Sequence, residues 1–302
     1  MITDAAFKLS IERVSEGGTV RFTARNLWYE VHRRKVSYGP WRQRYSIVGV
    51  SILAALPVFM LADMLEVDAL YPLSGVVFVV MAAWRNYKNW REFVRWPPPP
   101  DALRVEFDVF RKRHLPWWIQ VYGPIPGLLP AREQAAASMP REVPADVAAF
   151  SFDRAVVTDR WETAQLLVEN RFHFEHNCAV LSLDGYPDGI AYTVKEMLRR
   201  NPQLTVFALH DASVEGCHLP LRLREADWFP DPRVRIVDLG LRPYMAKSLH
   251  LPELQGPAAA RPELAKMLHV TDQKWLAAGH YSELAALRPA QLLRAVYKGI
   301  VA

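Results

Sequence analysis

Four short apolar runs stand out in the second half of the chain: Ala155-Val-Val-Thr158, Ala179-Val-Leu-Ser-Leu183, Thr205-Val-Phe-Ala-Leu-His210 and Val234-Arg-Ile-Val-Asp-Leu239. Helix-compatible segments separate them, over Trp161–Asn170, Ile190–Arg200 and about Cys217–Arg224. Strand, helix, strand at that spacing predicts a doubly wound α/β fold with a parallel sheet and flanking helices. The first three runs each end on an acid, Asp159, Asp184 and Asp211. In an open parallel sheet, chemistry gathers outside the carboxyl ends of the strands. Carboxylates collected there repel one another, so a divalent cation, most simply Mg2+, is the expected partner.

A different pattern occupies the first third. Ser46–Ala62 is a run of 17 residues without a charge, and Ala69–Trp84 is another of 16. Asp63, Glu66 and Asp68 lie in the link between them; Arg42 and Arg44 precede the pair, and Arg85, Lys88, Arg91 and Arg95 follow it. Basic outer flanks with an acidic tip predict a transmembrane hairpin with both termini in the cytoplasm, at the inner membrane. Tyr45, Tyr71, Trp84, Tyr87 and Trp90 fall where an aromatic belt would lie. Arg85–Trp96 continues as a basic, aromatic helix of the kind that lies along headgroups. The competing reading is a pair of helices buried in a soluble domain.

The remaining segments read more simply. Ser10–Arg13 and Thr19–Thr23 alternate around Glu16-Gly-Gly18, which predicts a small hairpin, and Thr23 is a helix N-cap candidate. Pro97–Pro100 is a stiff spacer, Leu103–Phe110 alternates like an edge strand, and Arg111-Lys-Arg113 adds charge near the membrane. His114–Pro144 reads as an irregular connection that lies on the membrane or wraps the α/β domain. Pro262–His269 and Asp272–Ala278 are expected helices. At 302 residues and 51% hydrophobic, the chain has room to bury a core in one large or two modest domains. A net charge of +5 permits, without requiring, nucleic acid or anionic lipid as a partner. Cys178 and Cys217 lack metal-site spacing and read as buried free thiols, and residues 1–20 have no apolar signal-like core.

Several motifs resemble one family. Asp211-Ala-Ser213-Val-Glu215-Gly216 is similar to the Asp-x-Asp-x-x-Gly signature of Toprim domains, and Val157-Thr-Asp159-Arg-Trp-Glu-Thr-Ala164 resembles their other acidic motif. Gly185-Tyr-Pro-Asp188 resembles the Gly-x-Pro-Asp of the A subunit of DNA topoisomerase VI and its meiotic double-strand-break relatives. Arg25-Asn-Leu-Trp-Tyr29 resembles the motif carrying that family's nucleophilic tyrosine. The resemblance implies Mg2+ held by Asp159, Asp211, Glu215 and Asp184, a nucleophilic Tyr29 assisted by Arg25, and duplex DNA as substrate. This chain has Asp159 where the family has Glu, and Ser213 where it has a second Asp.

Plainer roles stand beside these. Asp159 with Glu162 can form a capping box, Asp184 before Gly185 can shape a turn, Tyr29 can simply pack on an amphipathic helix, and His210 can be a satisfied strand-end residue. The expected organisation is a cytoplasmic amino-terminal segment with the tyrosine motif (1–44), a transmembrane hairpin and interfacial helix (45–96), a Pro-rich linker (97–149) and a Toprim-like α/β domain with a helical tail (150–302). Two functions follow: metal-dependent DNA strand breakage at the membrane face, or a degenerate Toprim module that binds nucleic acid or protein subunits, a second copy included. The enzyme needs Tyr29 within reach of the Asp159–Asp211 edge of its own or another subunit.

Overall fold

Residues Asp4–Val14 form a helix, α1, where the alternation around Glu16-Gly-Gly18 predicts a hairpin. The computed structural model describes residues 4–33, 105–132, 152–258 and 268–301. In α1, Phe7, Ser10 and Val14 recur at helical spacing and all three are buried, so the 3.6-residue period overrides the short alternation. Glu16, Gly17 and Gly18 all have positive φ and terminate this helix instead of turning a ribbon. A second helix, α2, covers residues 24–33. Thr23 caps it as expected: the Asn26 backbone N–H donates to Thr23 Oγ1 at 3.2 Å, while the Thr23 N–H donates to Asn26 Oδ1 at 3.0 Å.

The next described segment corrects two expectations. Phe107–Val109 is helical, not an edge strand, and leads through a π-helical turn, Phe110–His114, into α3 (Leu115–Tyr122), inside the stretch expected to be irregular. Phe110 and Leu115 are five apart, and the wide turn keeps both on the buried face with Trp118.

The four apolar runs are strands close to their predicted bounds: β1 (Arg154–Thr158), β2 (Ala179–Ser182), β3 (Thr205–Leu209) and β4 (Arg235–Asp238). They pair in parallel in the order β2-β1-β3-β4, with Val157 between Leu181 and Ala208. Helices α4 (Trp161–Glu169), α5 (Phe172–Glu175), α6 (Ala191–Arg199) and α7 (Val214–Arg222) lie in the connections. After β4 come α8 (Pro243–Ser248), a two-stranded ribbon of β5 (Leu254–Gln255) and β6 (His280–Tyr281), α9 (Val270–Ala277) and α10 (Pro289–Val301).

Strand side chains alternate between two cores. Val156, Val180, Phe207 and Leu209 pack with α4, α10 and the amino-terminal Phe22 and Leu27. Ala155, Val157, Leu181, Val206 and Ala208 pack with Leu198 of α6, with Leu219 of α7 and with Leu223, which caps the end of α7. A sheet covered on both faces has no polar side, which is why its strands read as continuous apolar runs.

The chain divides into two units, Met1–Val31 with Leu103–Ala302, and His32–Ala102. The tyrosine-bearing segment therefore belongs to the same unit as the sheet and is not a separate amino-terminal piece. The predicted hairpin, the interfacial helix and the proline spacer lie outside the described residues. Among the described residues, no helix is long and apolar enough to cross a membrane.

Candidate functional site

Asp159 and Asp211 follow β1 and β3, which are neighbours in the sheet, so their side chains meet at its carboxyl edge. The Asp211 backbone N–H donates to Asp159 Oδ2 at 3.0 Å. Asp159 is therefore not the helix cap that Glu162 suggested; Arg160 takes that position, without a side-chain bond to α4. Asp159 Oδ1 is buried and has no hydrogen-bond partner. Burial pushes the Asp159 carboxyl up to about 6. Burial, and then the Asp159 charge, raise Asp211 well above the usual carboxylate range.

Two further residues complete the cluster. Asp211 Oδ1 accepts the Leu284 N–H at 2.7 Å, and its Oδ2 lies 2.7 Å from Arg160 Nε, an ion pair out of line for a hydrogen bond. Arg160 Nη2 also lies 3.2 Å from Glu283 Oε1. Burial works against the Arg160 charge, but Asp211 and Glu283 outweigh it, and its pKa rises. Glu283 is buried and receives Tyr29 as well: the Tyr29 hydroxyl donates to Oε2 at 2.9 Å, and Arg25 Nη1 donates to both carboxylate oxygens at 2.9 and 3.0 Å. Arg25 also stacks 4.0 Å over the Phe107 ring.

Backbone geometry brings these groups together. Ala212 and Ser282 form an isolated antiparallel bridge, with N–H to O distances of 2.9 and 3.1 Å, which sets Glu283 beside Asp211. Gly216 lets α7 start close to the same edge. A Cβ at this position would fall 2.3 Å from the Asp211 carbonyl oxygen and 3.0 Å from Asp159 Oδ2.

The sequence-derived candidates thus separate. Tyr29, Arg25, Asp159 and Asp211 converge on one network. Asp184 is exposed, and its Oδ2 accepts the Trp161 N–H at 3.1 Å, capping the first turn of α4. Glu215 is exposed in the first turn of α7. Ser213 is the N-cap of α7, its Oγ accepting the Gly216 N–H at 2.9 Å. His210 is fully buried between the Asp211 carbonyl at 2.8 Å and Asp238 Oδ1 at 3.1 Å. Arg160 and Glu283 were not among the candidates. Arg160 lies inside the quoted acidic motif beside Asp159, which was its only signal; Glu283 sat in the presumed helical tail and had none.

Two properties limit the chemistry. Tyr29 is 2% exposed, and burial, then Glu283, raise its pKa well above that of a free phenol. A phenol hydrogen-bonded to a buried carboxylate is a poor nucleophile as it stands. The charge also nearly balances internally: Asp159, Asp211 and Glu283 face Arg25 and Arg160, and one proton on the aspartate pair neutralises the remainder. Among the described residues, no group of three or more His, Cys, Asp or Glu side chains is arranged to hold a metal ion. Magnesium does not fit these side chains as arranged, because a guanidinium already bridges Asp211 and Glu283.

Beside the network lies a cleft of about 600 Å³, lined among others by Arg25, Phe107, Arg111, Arg132, Trp161 and Glu162. Comparison with known proteins yields no match for the chain, whether among protein-family models, characterised proteins or solved structures.

Proposed function

We propose that this chain is a membrane-tethered, Toprim-like module that binds DNA and does not break it. The observation that carries this reading is the Arg160 guanidinium set between Asp211 and Glu283, in the place where the resemblance implies a metal. Asp211 and Glu283 then serve as internal partners of Arg160, and Glu283 also holds Arg25. Tyr29 serves as a buried hydrogen-bond donor to the same network. DNA is favoured by the net charge of +5 and by the cleft, where Arg111, Arg132 and Trp161 suit a phosphate backbone and an unstacked base. The tether rests on the two uncharged runs with basic outer flanks and an acidic tip.

The test uses the full chain reconstituted in nanodiscs. Fluorescence anisotropy with a duplex should show binding that weakens steeply with salt. Incubation with Mn2+ should trap no covalent phosphotyrosine adduct, and Tyr29→Phe should bind as wild type does. Thermal melting should not respond to millimolar Mg2+. Cysteines placed near Glu66 should label from the side opposite both termini, and carbonate should not release the protein.

A second reading, metal-dependent strand breakage with Tyr29 as nucleophile, is favoured by one feature: the Tyr29 hydroxyl lies on the same network as Asp159, whose buried Oδ1 has no partner. An adduct that forms in wild type and vanishes in Tyr29→Phe would establish it and remove the non-cleaving reading.

A further inference from the structure

The segment from Phe107 to Tyr122 has two unlike faces. Phe110, Leu115 and Trp118 are buried, with the Phe7 ring 6.0 Å from Phe110 and 4.3 Å from Trp118. That side fastens the segment to its own domain. Away from it Trp117 and Val121, one turn apart, are each more than half exposed, while Tyr122 turns back towards the domain, its ring 4.3 Å from Trp118 and its hydroxyl donating to Asp4 Oδ2 at 2.6 Å. Of three consecutive exposed cations, Arg111 lines the cleft, whereas Arg113 lies one turn before Trp117 on the same segment, next to Lys112. Aromatic and aliphatic side chains beside a cationic band are the composition of a surface that rests in the headgroup layer of an anionic bilayer. A soluble domain gains nothing by exposing them together.

The chain's own order supplies the second argument. The second uncharged run ends at Trp84, the basic aromatic stretch ends at Trp96, and Phe107 follows eleven residues later. Eleven residues reach at most about 40 Å when extended, so a bilayer holding the runs keeps this helix within reach of its surface.

We propose that the outer face of the Phe107–Tyr122 segment seats the sheet domain on an anionic lipid surface, with Trp117 and Val121 entering the headgroup layer and Lys112 and Arg113 binding lipid phosphates. The proposal rests on the membrane-tethered reading and adds an orientation to it: the domain lies against the bilayer by one defined face and does not swing free on its tether.

The experiment uses the full chain carrying Val121→Cys labelled with an environment-sensitive fluorophore, with Tyr192→Cys, an exposed site on α6, as the aqueous control. The native Cys178 and Cys217 are buried, and burial pushes both thiols up to about 12, so they react slowly with the label. In nanodiscs containing phosphatidylglycerol, the Val121 label should shift to the blue and be quenched by bromolipid, while the Tyr192 label stays aqueous. In phosphatidylcholine alone, or with Lys112→Gln and Arg113→Gln combined, the shift should largely disappear. Each basic residue near an anionic surface is worth roughly a factor of five, so the double change should weaken surface engagement by about 25-fold.

A Val121 label as aqueous as the control, in a chain that stays in the discs, overturns the seating and leaves the tether intact. A blue shift without bromolipid quenching means a protein contact and overturns it as well. If carbonate releases the chain, the tether fails; the same labelled chain is then added to preformed vesicles. A shift confined to anionic vesicles there supports the face independently, and no shift removes it too.

Discussion

Two buried charge clusters occupy neighbouring positions on the carboxyl edge of the sheet, and they are built on opposite terms. At β4, Asp238 is saturated: its Oδ1 meets His210 Nε2 at 3.1 Å and the Gly240 N–H at 2.9 Å, and Arg242 donates to its Oδ2 at 2.8 and 3.1 Å. Burial opposes that charge, but the His210, Gly240 and Arg242 partners win and hold Asp238 down at about 2. At β1 and β3, Asp159 and Asp211 share a site with too few donors, and burial drives both upward. The first cluster is an ordinary structural ion-pair network. The second keeps charge under tension, and that separates a candidate site from a brace.

The hardest way to break this contrast is to remove the hub of the second cluster. Glu283→Ala strands Arg25, Arg160 and the Tyr29 hydroxyl in a buried space, and loss of one partner in such a network costs about 3–5 kcal/mol. Chemical denaturation should show that loss. A cost below about 1 kcal/mol, the range of exposed pairs, would mean that Glu283 is solvated in solution.

The two clusters should also titrate with opposite sign. Asp159 sits near 6 in the folded chain, against about 3.9 when unfolded. The folded state holds that proton more tightly, so this contribution is greatest below the unfolded value and declines as pH rises from about 4 to about 6, by about 3 kcal/mol in total. Asp238, near 2 when folded, does the reverse: its contribution is present above about 4 and is lost as pH falls towards about 2, amounting to about 3 kcal/mol. Denaturation midpoints measured across this range should lose part of the upper slope in Asp159→Asn, since burial still raises Asp211, and the lower one in Asp238→Asn. If both variants lose the same slope, the distinction between the clusters is wrong.

Smaller changes sharpen the picture. Tyr29→Phe deletes one hydrogen bond to a buried carboxylate and should cost about 1.5–3 kcal/mol. It should leave DNA binding as in wild type, which separates a structural hydroxyl from a reactive one. Ser213→Ala removes the α7 cap for about 1 kcal/mol, whereas Ser213→Asp keeps the cap, since Asp serves there equally well. If Ser213→Asp instead gains a melting response to Mg2+, the acidic edge is one carboxylate short of a metal site.

Much of this was legible in the residues. The four strands were readable because a sheet covered on both faces leaves no polar position along its length. Thr23 was readable as a cap because capping is settled within one turn. The hairpin expected around Glu16-Gly-Gly18 and the edge strand expected at Leu103–Phe110 were misread. Windows that short fit two periods at once, and packing of Phe7, Phe110 and Trp118 chose the helical one.

The sequence by itself determined the strand order along the chain, the acids at the strand ends and the position of the tyrosine motif, because each depends on neighbours a few residues apart. Only the tertiary structure decided what those acids touch. Glu283 lies 72 positions beyond Asp211 and joins it through the Ala212–Ser282 bridge, while Arg160 turns back from its helix to lie between them. Pairing across such a separation is a property of the closed fold, since only burial makes an unpartnered carboxylate costly enough to dictate where an arginine goes.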